Sequence, residues 1–200
     1  VDQVSDTVVV CQDDPGAAQL EVHTSRRIAY GFHPESEWRA ENHRFGEGGY
    51  TDFDVYSREK LVGTMRTRLH GKHNVRNVLA AWSVCDELNV SFEVFRKKLL
   101  EYRGIARRFE ILGETEGITV VDDYAHHPTE IQATLSGARE AYPGCRIWAV
   151  FQPHTYSRLR QFFDDFARSF NMADSVLVTD VFAAREQVDE SLGGRELAEA

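Results

Sequence analysis

Long apolar runs, paired cysteines and a basic excess are all missing from these 200 residues, and each gap removes a class of function. No stretch approaches the ~20 consecutive apolar residues of a membrane-spanning helix, so no membrane partner is expected. Cysteine occurs only as Cys11, Cys85 and Cys145, an odd number without any C-x-x-C spacing. That suits reduced core thiols of a cytosolic, cytoplasmic protein better than a disulfide frame or a zinc site. The formal net charge of −9 argues against a nucleic-acid partner, whose footprint would be a basic face. Internal repeats and low-complexity segments are absent as well. The first residues, Val1-Asp2-Gln3-Val4, include no initiator Met and no signal pattern, and Gly194 to Ala200 reads as a helix barely begun. The expectation is an internal piece of a longer protein.

What remains is ordinary globular material, 42% hydrophobic and 28% charged, enough for one domain or two small ones. Short β-branched and aromatic runs fill the first seventy residues: Val8 to Cys11, Arg27 to Phe32, Asp52 to Ser57 and Leu61 to Leu69. They read as strands, several in hairpins. From His73 the period turns helical, with Val75, Val78, Leu79 and Trp82 on one stripe. A second helix starts at Ser91, a suitable N-cap, with Phe92, Phe95 and Leu99 inward. Gly104-Ile105-Ala106 reads as a hinge, which sets domains at 1–106 and 107–200. Beyond it, a buried strand at Thr119 to Val121, a helix from Pro128, and a strand from Arg146 to Phe151 follow in turn. One helix through Leu159, Phe162, Phe163, Phe166 and Phe170 and a strand from Ser175 to Thr179 complete the alternation. Such alternation implies an α/β fold with a doubly wound, mostly parallel sheet.

Open α/β sheets bind ligands at the carboxyl ends of their strands. Those ends read Asp122-Asp123-Tyr124-Ala125-His126-His127, Gln152-Pro153-His154 and Thr179-Asp180. Acid, base and anion-binding side chains therefore gather on one edge. Pro128 suits a first helical position, and that helix would aim free N–H groups at an anion beside His126 and His127. The plainer alternative has His127 capping the helix and Asp122 satisfying backbone donors. Metal binding by this cluster is disfavoured, because adjacent histidines diverge in extended chain and no His-x-x-x-His pair stands nearby. Asn74 and Asn77 share a helix face. Capping by Asn74 with an exposed Asn77 competes there with a ligand role. Arg107 and Arg108 suit a phosphate clamp or a solvated pair. Arg158, near a helix N-terminus, opposes the helix dipole unless an anion is bound.

Gly71-Lys72-His73-Asn74-Val75-Arg76-Asn77-Val78-Leu79-Ala80-Ala81 resembles the end of the ATP-binding domain of the Mur ligases. Arg107-Arg108-Phe109-Glu110 looks like their inter-domain junction. Asp122 to Glu130 and Phe151 to Arg158 resemble their C-terminal domain, in the members that act on UDP-N-acetylmuramate and L-alanine. The likeness runs from about residue 60 to residue 186. It implies the end of a truncated central domain followed by most of a C-terminal domain of an ATP-dependent amide ligase of peptidoglycan synthesis. There, the muramoyl carboxylate is phosphorylated and the amine of L-alanine attacks the acyl phosphate. The resemblance places Asn74 and Asn77 at the adenine, and Arg108 and Asp123 at the ribose and phosphates across the domain cleft. Tyr124, His126, His154 and Arg158 would border the amino-acid and muramoyl side, with Arg108 and His126 nearest the chemistry. Such anion-rich transition states require positioned cations and N–H donors. Within the class, the ligase that recycles a whole tripeptide is a rival, expected to carry Phe where Tyr124 stands.

The chain departs from the family at one point that matters. No G-x-x-x-x-G-K-[ST] phosphate loop occurs in it. The resemblance puts that loop, the UDP site and the Mg²⁺ ligands upstream, and leaves monomer or homodimer open for the full-length protein. These 200 residues alone are therefore expected to release no phosphate from ATP, and a measurable ligase rate from them would contradict that.

Overall fold

Val8, Val9 and Val10 lie in the first strand, β1 (Thr7–Cys11), of a computed structural model that describes residues 6–23, 26–46 and 49–200. Val1-Asp2-Gln3-Val4 lies outside the described residues. The chain forms two units, Val1–Gly104 and Ile105–Ala200. In the first, β1 pairs in parallel with β2 (Arg26–Gly31) after a short helix, α1 (Pro15–Ala18), which Asp14 caps. β3 (Trp38–Gly46) continues the parallel run and then pairs antiparallel with β4 (Tyr50–Ser57), which pairs antiparallel with β5 (Lys60–Thr67). The sheet order is β1-β2-β3-β4-β5.

Two helices complete the unit, α2 (Lys72–Glu87) and α3 (Phe92–Glu101). The anticipated stripe of Val75, Val78, Leu79 and Trp82 is wholly buried and shares one core with Ile28, Trp38, Phe53, Val55 and Met65. Trp82 is its hub, edge-on to Trp38 and Phe92 at 5.3 Å each. Ser91 caps α3 as expected, accepting from the Val94 N–H. Strand β3 has no counterpart among the sequence-based expectations. A bulge between Glu41 and Arg44, with Asn42 at φ +50°, breaks the alternation that would have marked it. Gly31, at φ +150°, lies where a Cβ would come within 2.5 Å of Asp13 Oδ1. That close approach lets the Asp13 carboxylate accept the Phe32 and His33 N–H groups at 2.8 and 2.9 Å and the Arg76 Nε–H at 2.9 Å.

The second unit begins with a hairpin of β6 (Glu110–Thr115) and β7 (Ile118–Asp122). Glu116 and Gly117, at φ +50° and +77°, make the two-residue turn that right-handed strand twist favours. Then come α4 (Pro128–Ala141), β8 (Trp148–Phe151), α5 (Tyr156–Gln161), α6 (Phe163–Ala167), β9 (Ser175–Val178) and α7 (Gly194–Ala198). β8 and β9 pair in parallel, and the class is α/β as expected. Ile131, Leu135, Phe151, Leu159, Phe166 and Leu197 form the core.

Three expectations are corrected here. The Thr119–Val121 strand is not buried: its ladder partner is the unforeseen β6, and Ile118 and Val120 are exposed. The phenylalanine-rich helix is two short ones, because Phe162 leaves helical geometry at φ −118° and ψ 26°. Its phenylalanines are core all the same, with Phe166 buried and Phe162, Phe163 and Phe170 packed against it. Cys145 is an exposed thiol, not a core one; Cys11 and Cys85 are half-buried and free.

Across β4 and β5, Asp52 and Arg66 are register partners joined by two hydrogen bonds of 2.6 and 2.8 Å. The Arg66 hydrogen bond holds the Asp52 carboxyl below its ordinary 3.8, against the opposing effect of burial. A lowered folded-state value stabilises above the unfolded value and is lost as pH falls through the folded one. Asp52→Asn is therefore expected to cost about 1 kcal/mol at pH 7. In thermal melts across pH, its deficit against the parent chain should vanish once the carboxyl is protonated.

Candidate functional site

In the second unit the junction residues fold onto the loop after β7. Arg107 and Phe109 both adopt left-handed backbone, at φ +59° and +51°, on either side of Arg108. A non-glycine residue holds such a conformation only when its surroundings compel it. Here the compulsion is a set of hydrogen bonds. The Arg107 N–H donates to Glu110 Oε2 at 2.7 Å, and the Phe109 N–H to Asp123 Oδ2 at 2.8 Å. Asp123 Oδ1 accepts from the Ala125 N–H at 2.8 Å, and the Tyr124 N–H donates to the Arg107 carbonyl at 2.7 Å. Asp123 thus pins two chain segments, while each oxygen keeps a further lone pair for a ligand donor.

The side chains above this knot touch one another. Both guanidiniums lie over the Tyr124 ring, Arg107 at 4.8 Å and Arg108 at 5.8 Å, and Tyr124 meets His126 edge-on at 5.3 Å. Arg107 also pairs with Asp122 at 3.1 Å. Arg108, Tyr124 and His126 are therefore one cluster, standing on the backbone that Asp123 ties.

The start of α4 does not offer free donors, which corrects the expectation of an open anion site there. His127 is the N-cap, accepting from the Thr129 N–H, and Glu130 closes a capping box. Glu130 Oε2 accepts the His126 and His127 N–H groups at 2.9 and 3.2 Å. An anion already sits at this helix end, and it belongs to the chain. Burial acts to raise the Glu130 carboxyl, but the His126 and His127 N–H groups and the nearby His126 ring and Arg108 guanidinium outweigh it and hold the group low. Glu130 was not among the expected site residues; its place three after an N-cap was the available signal.

At the end of β8, His154 makes a parallel bridge to Phe182 and stacks near its ring at 5.4 Å. Arg158 Nη1 lies 3.5 Å from His154 Nδ1, on α5. The six-residue α5 places Arg158 in its last turn as much as its first, so the expected conflict with a long helix dipole is weak. The His127 ring packs on Phe162 at 4.7 Å, which joins the β7 loop to the α5–α6 corner.

In the first unit, Asn74 and Asn77 share a face of α2, with Asn77 Nδ2 donating to Asn74 Oδ1 at 3.3 Å. The capping alternative for Asn74 is overturned: Gly71 is the N-cap, and the Asn74 amide donates to the His70 carbonyl at 2.8 Å. A groove of about 660 Å³ in this unit is lined by residues including Arg44, Asp52, Arg66, Arg96 and Lys97, and neither asparagine borders it. Among the described residues no group of three or more His, Cys, Asp or Glu side chains could hold a metal ion, and no helix is long and apolar enough to cross a membrane.

Comparison with known proteins matches residues 1–85 to the Mur ligase middle domain and residues 107–200 to the Mur ligase, glutamate ligase domain. The chain is 49% identical over 192 residues to the UDP-N-acetylmuramate–L-alanine ligase of Salinibacter ruber, covering 96% of this chain and 40% of that protein. It superposes on the UDP-N-acetylmuramate–alanine ligase of Thermotoga maritima with a TM-score of 0.76 at 27% identity, covering 96% of this chain and 40% of that one. A murein peptide ligase from Psychrobacter arcticus gives a TM-score of 0.51 at 30% identity, over 77% of this chain and 32% of that one. The chain thus spans about 40% of the length of the alanine-ligase relatives it matches.

Removing the Asp123 carboxylate strands two N–H groups, at about 1–3 kcal/mol in all. Asp123→Ala should accelerate hydrogen exchange at the Phe109 and Ala125 amides about tenfold or more, leaving amides of the α2 core unchanged.

Proposed function

We propose that this chain, which belongs to the Mur ligase family, is part of an enzyme that joins L-alanine to UDP-N-acetylmuramate at the expense of ATP. The observation that carries the reading is the contact cluster of Arg108, Tyr124 and His126 on the backbone that Asp123 ties, lying within the stretch that is 49% identical to an alanine-adding relative. In that reaction a muramoyl carboxylate oxygen attacks the γ-phosphorus of ATP and the bond to ADP breaks. The amine of L-alanine then attacks the acyl carbon. The tetrahedral adduct releases inorganic phosphate and the amine's proton, leaving an amide.

Both steps concentrate negative charge, which positioned cations stabilise in a partly desolvated site. Arg108 supplies a guanidinium for the phosphates, and Asp123 a carboxylate with lone pairs for ribose hydroxyls. Asn74 and Asn77 offer amides of the kind that read an adenine edge. His126 and Tyr124 border the acyl group, and His126 is the side chain of this set able to take a proton from the attacking amine. His154 and Arg158 complete the anionic substrate side. These residues fit part of a nucleotide only, since no glycine-rich phosphate loop occurs in the 200 residues. Mg²⁺ would supply charge neutralisation between the phosphates, held by residues elsewhere in the complete polypeptide. The reaction is proposed to take place in the cytoplasm.

The test is phosphate release by the complete polypeptide, given ATP, UDP-N-acetylmuramate and one acceptor at a time. Release that requires L-alanine is the expected result, with serine and glycine slower. Turnover with an intact stem tripeptide instead of L-alanine would reassign the chain to the recycling ligases. Release indifferent to UDP-N-acetylmuramate would end the reading.

A further inference from the structure

We infer that Glu130 is a positioning residue for Arg108, a role beyond capping α4; the inference rests on the ligase reading above. The carboxylate divides its work between two oxygens. Oε2 accepts the His126 and His127 N–H groups and so completes the cap. Oε1 faces Arg108 Nη1 at 3.5 Å, while the His126 ring Nδ1, hydrogen-bonded to the Tyr124 carbonyl at 2.9 Å, lies 3.6 Å from Oε2. A capping box needs only an acceptor at this position, and glutamine serves as well as glutamate. Beyond the modest helix-dipole interaction that any carboxylate gains at this end, the charge is directed at Arg108, a member of the candidate site.

The backbone reinforces the point. Arg108 is held between two left-handed neighbours, each secured by a carboxylate, Glu110 for Arg107 and Asp123 for Phe109. With its main chain fixed on both sides, the remaining freedom of Arg108 lies in its side chain. Glu130 is the ion partner that limits it. The guanidinium is still half exposed, so a ligand phosphate can reach it from the solvent side. An arginine held by a carboxylate from behind presents its remaining donors with less entropy to lose on binding.

Glu130→Gln separates the two roles. Its amide oxygen can keep the cap, but its –NH₂ then faces the Arg108 guanidinium, donor against donor. Dissociation constants for ADP are measured on the complete polypeptide as a double-mutant cycle with Arg108→Met. Glu130→Gln is expected to weaken ADP binding about three- to fivefold, the upper part of the range for a partly exposed ion pair, and to change it less than about twofold when residue 108 is Met. Equal losses in both backgrounds, or no loss in either, overturn the positioning role. Should the Gln variant fail to fold, Glu130→Asp, which keeps the charge but withdraws it from Arg108, takes its place in the cycle, and the same outcomes support or overturn the role. Arg108→Met that leaves both ADP affinity and ligase turnover untouched would instead sink the underlying assignment of Arg108.

Discussion

Two backbone N–H groups, from Phe109 and Ala125, converge on the Asp123 carboxylate, and the geometry of the second unit's chemistry depends on that convergence. Without it there is no reason for Phe109 to remain left-handed, and Arg108 would lose its fixed base on that side. The same carboxylate positions the peptide after Tyr124, whose ring carries both arginines and meets His126. A few hydrogen bonds worth about 1 kcal/mol each thus order four side chains that a ligand would otherwise have to order for itself.

The first unit uses the same device. Asp13, past the end of β1, accepts the N–H groups that follow β2 and an Arg76 donor from α2. In both units an acidic residue beyond a strand end ties down neighbouring backbone. A carboxylate at such an edge is therefore not by itself a sign of ligand contact. Asp13 spends its carboxylate on two N–H groups and the Arg76 guanidinium, and Asp123 on two N–H groups with acceptor capacity to spare.

These duties explain what was and was not legible in the sequence. Helix α2 was readable because its apolar period is undisturbed and its core positions are all large or branched. The cluster around Asp123 was readable because strand ends in α/β folds collect polar residues. Strand β3 was hidden by a bulge, and β6 by an exposed stretch whose adjacent Ile111 and Leu112 and register shift before Gly113 break the alternation. The single helix anticipated after Arg158 failed because apolar spacing reports a buried face and is blind to the kink at Phe162, where bonding continues from Phe162 N to the Arg158 carbonyl. Glu130 escaped notice because one residue fills two roles, and only side-chain geometry separates them.

The distribution of tryptophan has a spectroscopic consequence. Trp38 and Trp82 stand edge to face inside the first core, whereas Trp148 lies on the open face of β8, 62% exposed. Indole emission moves to longer wavelength when water reaches the ring, and Trp148 is already wet in the native chain. A red shift on denaturation therefore reports loss of the first unit almost alone, while opening of the second passes nearly unseen in the same light.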